Sequence, residues 1–219
     1  MNWLLLQLAD SAFPSGGFAH SAGYEAALQL GEGRGTQGLE RFLREALWQS
    51  GYGNLILATQ AHAQPEKIET IADLCDVFLS NHVANRASRT QGRTFISTCL
   101  RSFPNRGLEE LYAQLEQRSA NFHYAGIFGA VLKILGVGKE PLQNLLLHGT
   151  LRGIISAAIR LGTIGPYQGQ QLQWKSAELL DEIIRVCGDL DLEDLAQTAP
   201  LLEILHSNHD RLYSKLFLS

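Results

Sequence analysis

LQLADSAFPSGGFAHSAGYE, residues 6–25, is the stretch that decides how this chain begins to fold. An apolar segment leads into residues 14–17, where a proline fixes one backbone angle and two glycines free the residues that follow. This combination predicts a tight turn. A helical pattern resumes from Phe18 to Leu28, and Ser15 is the predicted N-cap of that helix.

Apolar residues recur at a helical period along most of the remaining chain. The clearest helix has one apolar face made of Leu39, Phe42, Leu43, Ala46 and Leu47. Gly51 and Gly53 are predicted to end it. Residues 55–57 fit a buried strand or a buried helix, and the alanine-rich continuation favours the helix. No strand alternation, internal repeat or low-complexity tract appears, so the sequence predicts one all-α domain over residues 1–219, a bundle of many mostly antiparallel helices.

Three small residues, Gly149, Gly153 and Ala157, recur every fourth position in a helical segment. Small residues at this spacing allow another helix to approach closely. The sequence therefore predicts the tightest helix crossing here, with Gly126 and Ala130 as partners.

Composition limits the classes of function. The chain has 219 residues, 45% of them hydrophobic, which suits a globular domain with a real core. A net charge of −4 argues against a general binder of nucleic acid or acidic membranes. Cys75, Cys99 and Cys187 are far apart and odd in number, so they favour a reducing compartment, the cytoplasm, over a disulfide framework.

Neither candidate membrane segment has the required pattern. The apolar start lacks a basic region and is cut short by Gln7, so we do not expect a secretory signal. Residues 142–165 are interrupted by His148, Arg152 and Arg160, and charges inside a span are costly. We expect no membrane-spanning helix.

Motifs for catalysis are missing from the sequence. No Gly-x-Ser-x-Gly elbow or phosphate-binding loop occurs, so we expect neither an enzyme nor a bound cofactor. His206 and His209 have the spacing to present two imidazoles to one metal ion on a helix. The alternative is that both are surface residues of a mobile tail, because two ligands do not complete a site.

Arg86, Arg89 and Arg93 follow one side of a predicted helix, within residues 82–106, which contain no acidic residue. Such a stripe is able to dock an anion or an acidic partner. The alternative is pairing with carboxylates of neighbouring helices. The sequence leaves both open.

Four motifs resemble signatures of UreF, an accessory protein family of urease maturation. The opening fits "S-x-x-P-x-G-x-F-x-x-S-x-G-x-E", which is filled by Ser11, Pro14, Gly16, Phe18, Ser21, Gly23 and Glu25. The other three lie at residues 86–93, 160–170 and 209–219. Three positions depart from the family pattern: Lys215 replaces an arginine, Thr163 a proline and Asn54 an aspartate.

The resemblance implies an all-α protein without catalysis of its own. Family members typically dimerise and bridge two partners, UreD (also called UreH) and the GTPase UreG, while nickel is delivered to apo-urease. They are thought to regulate the GTP cycle of UreG. The resemblance does not decide whether nickel contacts this chain.

The resemblance also suggests site residues. It places a functional acid at Glu25 and a functional base at Arg160, which we assign to a UreG face; the alternative is an internal ion pair or a solvated side chain. Residues 205–219 are expected to be a partner-binding tail for UreD, with the binding residues His209, Tyr213, Lys215, Leu216 and Phe217. Two other classes remain open, a helical scaffold or adaptor unrelated to urease and a helical enzyme with a histidine-arginine cleft.

Overall fold

A computed structural model describes residues 3–118 and 120–219 of the chain. Helices dominate these residues, and none of the described residues belongs to a strand. The predicted all-α fold class is therefore confirmed. Apolar side chains from the opening segment through the last helix join one contiguous core.

The α-helices are, in chain order, α1 (Trp3–Ala9), α2 (Tyr24–Gln29), α3 (Gly35–Ser50), α4 (Ile56–Ala63), α5 (Ile68–Phe78), α6 (His82–Ser102), α7 (Arg106–Gln117), α8 (Tyr124–Ile134), α9 (Lys139–Arg160), α10 (Pro166–Lys175), α11 (Ala177–Cys187) and α12 (Pro200–Ser207). Short 3₁₀ turns occupy Gly17–Ala19, Pro65–Lys67, Leu192–Asp194 and Asn208–Arg211.

The opening stretch becomes helical later in the chain than its sequence predicts. Gly16 adopts a left-handed conformation, with φ of 82°, and leads into the 3₁₀ turn Gly17–Ala19. A regular helix begins only at Tyr24, after Gly23 at φ of 84°. The predicted capping role of Ser15 is wrong, because no side-chain cap is made at this turn.

α3 and α4 are joined without a break. A π-helical turn, Gly51–Leu55, carries the chain from one to the other, so the predicted helix end at these glycines is wrong. A π-turn closes i→i+5 hydrogen bonds and so inserts one extra residue. A side chain at Gly51 would meet Ile183, which explains why a glycine fits there. The helical interpretation of residues 55–57 is confirmed.

The tightest approaches join α8 to α4 and α6 to the loop before α8, not α8 to α9 as predicted. A Cβ atom at Gly129 of α8 would lie 2.1 Å from the main-chain oxygen of Ala58, and one at Gly92 of α6 would lie 1.9 Å from that of Phe122. In contrast, Cβ atoms at Gly149 and Gly153 would meet nothing within 4 Å. The predicted crossing on α9 is therefore wrong, and those two glycines face open space.

Two further expectations concern the cysteines and membranes. All three cysteines are free thiols buried in the structure. Within the described part of the chain, no helix combines the length and apolar character needed to cross a bilayer.

Candidate functional site

The carboxylate of Glu25 holds the C-terminal tail. Its Oε1 accepts the main-chain N–H of Leu216 at 2.6 Å, and its Oε2 accepts that of Phe217 at 3.1 Å. The His209 Nε2 lies 3.1 Å from the same Oε2. Glu25 is only 1% exposed and His209 is fully buried. Burying a carboxylate is costly unless it is paired and hydrogen-bonded, and all three partners come from the tail.

Hydrogen bonds between the main chains extend this contact. The N–H of Leu218 donates to the Ala19 oxygen at 2.8 Å, and the N–H of Ser21 donates to the Ser219 oxygen at 2.6 Å. The Ser21 hydroxyl donates to that same oxygen, while the His20 Nδ1 lies 2.6 Å from the Ser219 hydroxyl. We call the contact of residues 18–25 with residues 206–219 the tail junction.

A cation-π stack closes one edge of the tail junction. The Arg160 guanidinium, at the end of α9, lies 3.9 Å from the ring centre of Phe18 and 4.2 Å from that of Phe217. Arg160 also donates to the Phe18 main-chain oxygen at 2.5 Å. Phe217 is buried, whereas Phe18 is 72% exposed. One face of this stack is therefore open to solvent.

Glycine permits the close approach of α12 to the opening stretch. A Cβ atom at Gly23 would lie 2.9 Å from the Cβ of His206, and the φ of 84° at Gly23 is itself unfavourable for other residues. Ala22, the residue before it, also has a positive φ, of 53°. The local backbone is thus shaped to let the tail fold back onto residues 18–25.

His206 and His209 occupy the inside of the tail junction. The Nε2 of His206 and the Nδ1 of His209 are buried without a described hydrogen-bond partner. Burial lowers the pKa of His206 to about 4, with a smaller contribution from the charges of His209, His20, His82 and Arg86. The surface interpretation of this pair is wrong for His209, since the tail packs against the opening motif.

A metal interpretation of the pair also lacks support. Among the residues that the structure describes, no group of three or more His, Cys, Asp or Glu side chains is arranged to hold a metal ion. One of the two imidazoles, that of His209, is already paired with Glu25.

The arginine stripe on α6 is internally paired. Arg86 contacts both carboxylate oxygens of Asp210, at 2.9 and 3.1 Å, and Arg93 contacts Glu116 at 2.6 Å. Arg89 donates to the Asn121 side chain. The pairing alternative is confirmed for Arg86 and Arg93, and the first of these pairs fixes the start of the tail.

The structure thus unites residues that the sequence places on two separate faces. Glu25, Arg160, His209 and Phe217 belong to a single junction, and Glu25 has almost no surface to offer a partner. The outward side of the tail carries Tyr213, Lys215 and Leu216, and also Leu218, which the sequence did not single out.

Two contributors to the junction were missed. His20 and Ser21 contact Ser219, nearly two hundred positions away in the chain. Ser21 is part of the opening signature, so the sequence motif could have marked it as a candidate functional residue. Its partner could not be identified, because nothing in the local sequence points to so distant a residue.

The fold and the tail junction define a class of protein: an all-helical domain in which the opening motif and the tail pack against each other. A model of the UreF family matches residues 34–177. Urease accessory protein F of Arabidopsis thaliana is 33% identical over 225 residues, covering 100% of this chain and 93% of that protein.

Two further relatives agree. The protein of the same name from Oryza sativa subsp. indica is 33% identical over 219 residues, with 98% of this chain and 84% of that protein covered. Urease accessory protein UreF of Mycobacterium tuberculosis is 31% identical over 218 residues, with coverages of 99% and 98%. The chain belongs to the UreF family, whose named members are accessory proteins of urease.

Proposed function

We propose that this protein bridges UreD (UreH) and the GTPase UreG and regulates UreG while the urease nickel centre is assembled on apo-urease. Membership of the family supports a role in urease maturation. The observation that carries the finer assignment is the tail junction, because it holds a short segment rigidly and leaves apolar side chains exposed. Nickel is the cargo of this assembly, and we assign it no ligand on this chain.

The outward side of the tail is the proposed UreD surface. Tyr213 is fully exposed, and Leu216 and Leu218 are 53% and 65% exposed. Clustered exposed apolar side chains are typical of binding surfaces, and such anchors often dominate an interface. His209 and Phe217 take part indirectly, because they are buried and position the segment that carries the exposed residues. Lys215 contributes a charge at the rim.

The edge formed by Arg160 and Phe18 is the proposed UreG surface. The guanidinium sits between an exposed and a buried ring, and charged residues at a rim mainly steer and orient a partner. Glu25 acts here through the tail, since its carboxylate fixes the Phe217 ring beneath Arg160. Replacement of Glu25 therefore affects both surfaces.

We also propose that the protein works as a homodimer in the cytoplasm. Three buried free thiols suit a reducing compartment. Exposed apolar residues outside the tail, such as Trp174 on α10 and Val77 on α5, offer further contact area for a second copy.

Pull-down of purified UreD tests the tail surface. We expect the double substitution Tyr213→Ala and Leu216→Ala to weaken UreD binding at least tenfold, because each truncated anchor typically costs about 1–2 kcal/mol or more. Both side chains are exposed, so the thermal unfolding midpoint should change little. Tyr167→Ala, which removes another exposed ring, on α10 and outside the proposed binding surfaces, is the matched control. Full-strength UreD binding by the double variant would contradict the assignment.

The same assay with UreG tests the second surface. Arg160→Gln keeps hydrogen-bonding capacity but removes the charge and most of the stacking. We expect weaker UreG binding and lower urease activation at retained UreD binding. Loss of both partners together with a lower unfolding midpoint would instead make Arg160 a structural residue of the tail junction.

A further inference from the structure

A cavity of about 480 Å³ lies between α9 and the opening segment, residues 8–18. This volume is within the usual range of small-molecule sites. Gly149 and Gly153 form part of its wall, which is why added Cβ atoms there would meet nothing. The missing side chains of α9 thus create room that no neighbouring helix fills.

Two arginines of α9 line this cavity, and they are unusual within the chain. All eighteen lysines and arginines are described, and only Arg152 and Arg160 are not exposed. Neither lies within ion-pair distance of an acidic side chain in the described residues. Each donates one hydrogen bond to a main-chain oxygen, of Ala9 and of Phe18 respectively, although a guanidinium carries five N–H donors.

In the described part of the chain, no acidic side chain near the cavity offsets these two charges, although Arg160 also stacks on the rings of Phe18 and Phe217. None of the described residues that line the cavity is Asp or Glu, although the chain as a whole is acidic. His148, the other basic group beside Arg152, has its pKa lowered by burial and by that arginine, so it is neutral near pH 7. A half-buried cation without a counter-ion is costly, and an anion entering the cavity would offset that cost.

Part of the wall is apolar and aromatic. Phe13, Phe95, Tyr124 and Phe128 line the cavity together with Leu145. Their rings contact one another, with centroid separations of 5.3 to 6.2 Å, so this wall is firmly packed. The cavity therefore combines an aromatic part of its wall with positive charge that no described acidic side chain offsets.

We propose that the cavity binds a small organic anion, a carboxylate, sulfonate or phosphate ester with an apolar body. The anionic group pairs with Arg152, and the apolar body lies against the aromatic wall. Arg160, about 12 Å further along the helix axis at 1.5 Å per residue, receives a second acidic group where the ligand carries one. The inference rests on Arg152 and the α9 glycines, which belong to neither proposed surface, and only the second contact, at Arg160, is shared with the proposed UreG surface.

Two fluorescent dyes of nearly equal shape test the charge requirement. 8-Anilinonaphthalene-1-sulfonate carries an anionic sulfonate, whereas N-phenyl-1-naphthylamine lacks it. We expect the sulfonate dye to bind the wild-type chain at one site. Arg152→Met should weaken it about tenfold or more, since a charge-assisted contact is lost, and should leave the neutral dye unaffected. An unchanged affinity for the sulfonate dye, or an equal loss for both dyes, overturns the proposal.

Substitutions at Gly153 test the location. Gly153→Leu places a side chain in the cavity and should abolish binding of both dyes, while Gly153→Ala should retain it. Both variants replace a helix-interior glycine, so helical content should not fall. Wild-type dye affinity in the leucine variant overturns the assignment to this cavity.

Competition on the wild-type protein decides the matter if Arg152→Met fails to fold. Benzoate must displace the sulfonate dye at concentrations at least tenfold lower than benzyl alcohol, its uncharged counterpart. Equal displacement by the two compounds overturns the proposal.

Discussion

At the scale of single residues, Glu25 shows why a charged side chain lies inside this protein. Three tail groups surround its carboxylate, and removal of one partner from a buried pair typically costs about 3–5 kcal/mol. The motif resemblance pointed to Glu25 as a special acid. Its role as an anchor was not predictable, because its partners lie more than 180 positions away and two of them are main-chain N–H groups.

His206 makes stability depend on pH. Its pKa is about 4 in the folded chain and near 6.5 when solvated, so the unfolded state takes up a proton first. The stability that this difference supplies is complete above pH 6.5 and is lost as the pH falls toward 4. We expect a loss of about 2–3 kcal/mol from this residue by about pH 4.5. Urea unfolding across this range measures it.

His20, His123 and His148 also have pKa values lowered by burial, so the wild-type curve alone is not specific for His206. His206→Gln, which stays neutral at every pH, isolates the contribution. The unfolding free energy of the wild type minus that of the variant should decrease as the pH falls from 6.5, because only the wild type loses the His206 contribution. Parallel curves would show that His206 is protonated equally in both states.

At the scale of helices, the sequence predicted the elements better than their contacts. Regular apolar spacing marks α3 clearly, because its buried face is determined by its own side chains. Small residues on α9 only show that one face lacks bulk; whether a helix or a cavity lies opposite depends on the rest of the fold. For the same reason the sequence did not predict the close approach of Gly129 to Ala58, which depends on two distant segments.

Alanine at two glycines should have opposite effects. Gly129→Ala places a Cβ atom 2.1 Å from the Ala58 oxygen, so α4 and α8 must separate. We expect a loss of about 1–3 kcal/mol or more, as is usual for overpacking. Gly149→Ala, also inside a helix, meets nothing and should gain about 0.5–1 kcal/mol from helix propensity. Chemical unfolding compares them, and equal effects at both sites would contradict this packing.

At the scale of the whole molecule, the tail is part of the packed domain. The sequence predicts residues 205–219 as a partner-binding tail, yet the Phe217 side chain is only 4% exposed because it packs against the chain itself. The sequence indicated the apolar character of this segment correctly. It could not show where the segment packs, since an apolar tail suits its own core and a partner equally well.

Removal of residues 215–219 should therefore destabilise the domain. The truncation loses the buried Phe217 ring and leaves the Glu25 carboxylate without two of its donors, a combined cost of at least about 3 kcal/mol. Helical content should stay nearly constant, because the last α-helix ends at Ser207. Far-ultraviolet circular dichroism and urea unfolding measure both quantities. Leu218→Ser, at an exposed position of the same segment, is the control, and equal stability of truncated and full-length chains would contradict the role of the junction.

The π-turn at Gly51–Leu55 fixes the angular phase between the two halves of the long α3–α4 rod. Each α-helical residue turns the chain by about 100°, so the one extra residue rotates everything after it by roughly that angle. Deleting one residue here would yield a smoother rod but swing Ala58 away from Gly129 of α8, which it approaches closely. The number of residues in this turn is thus as strictly determined as their identity, because a single amino acid sets the rotation of α4 about the rod axis relative to α3.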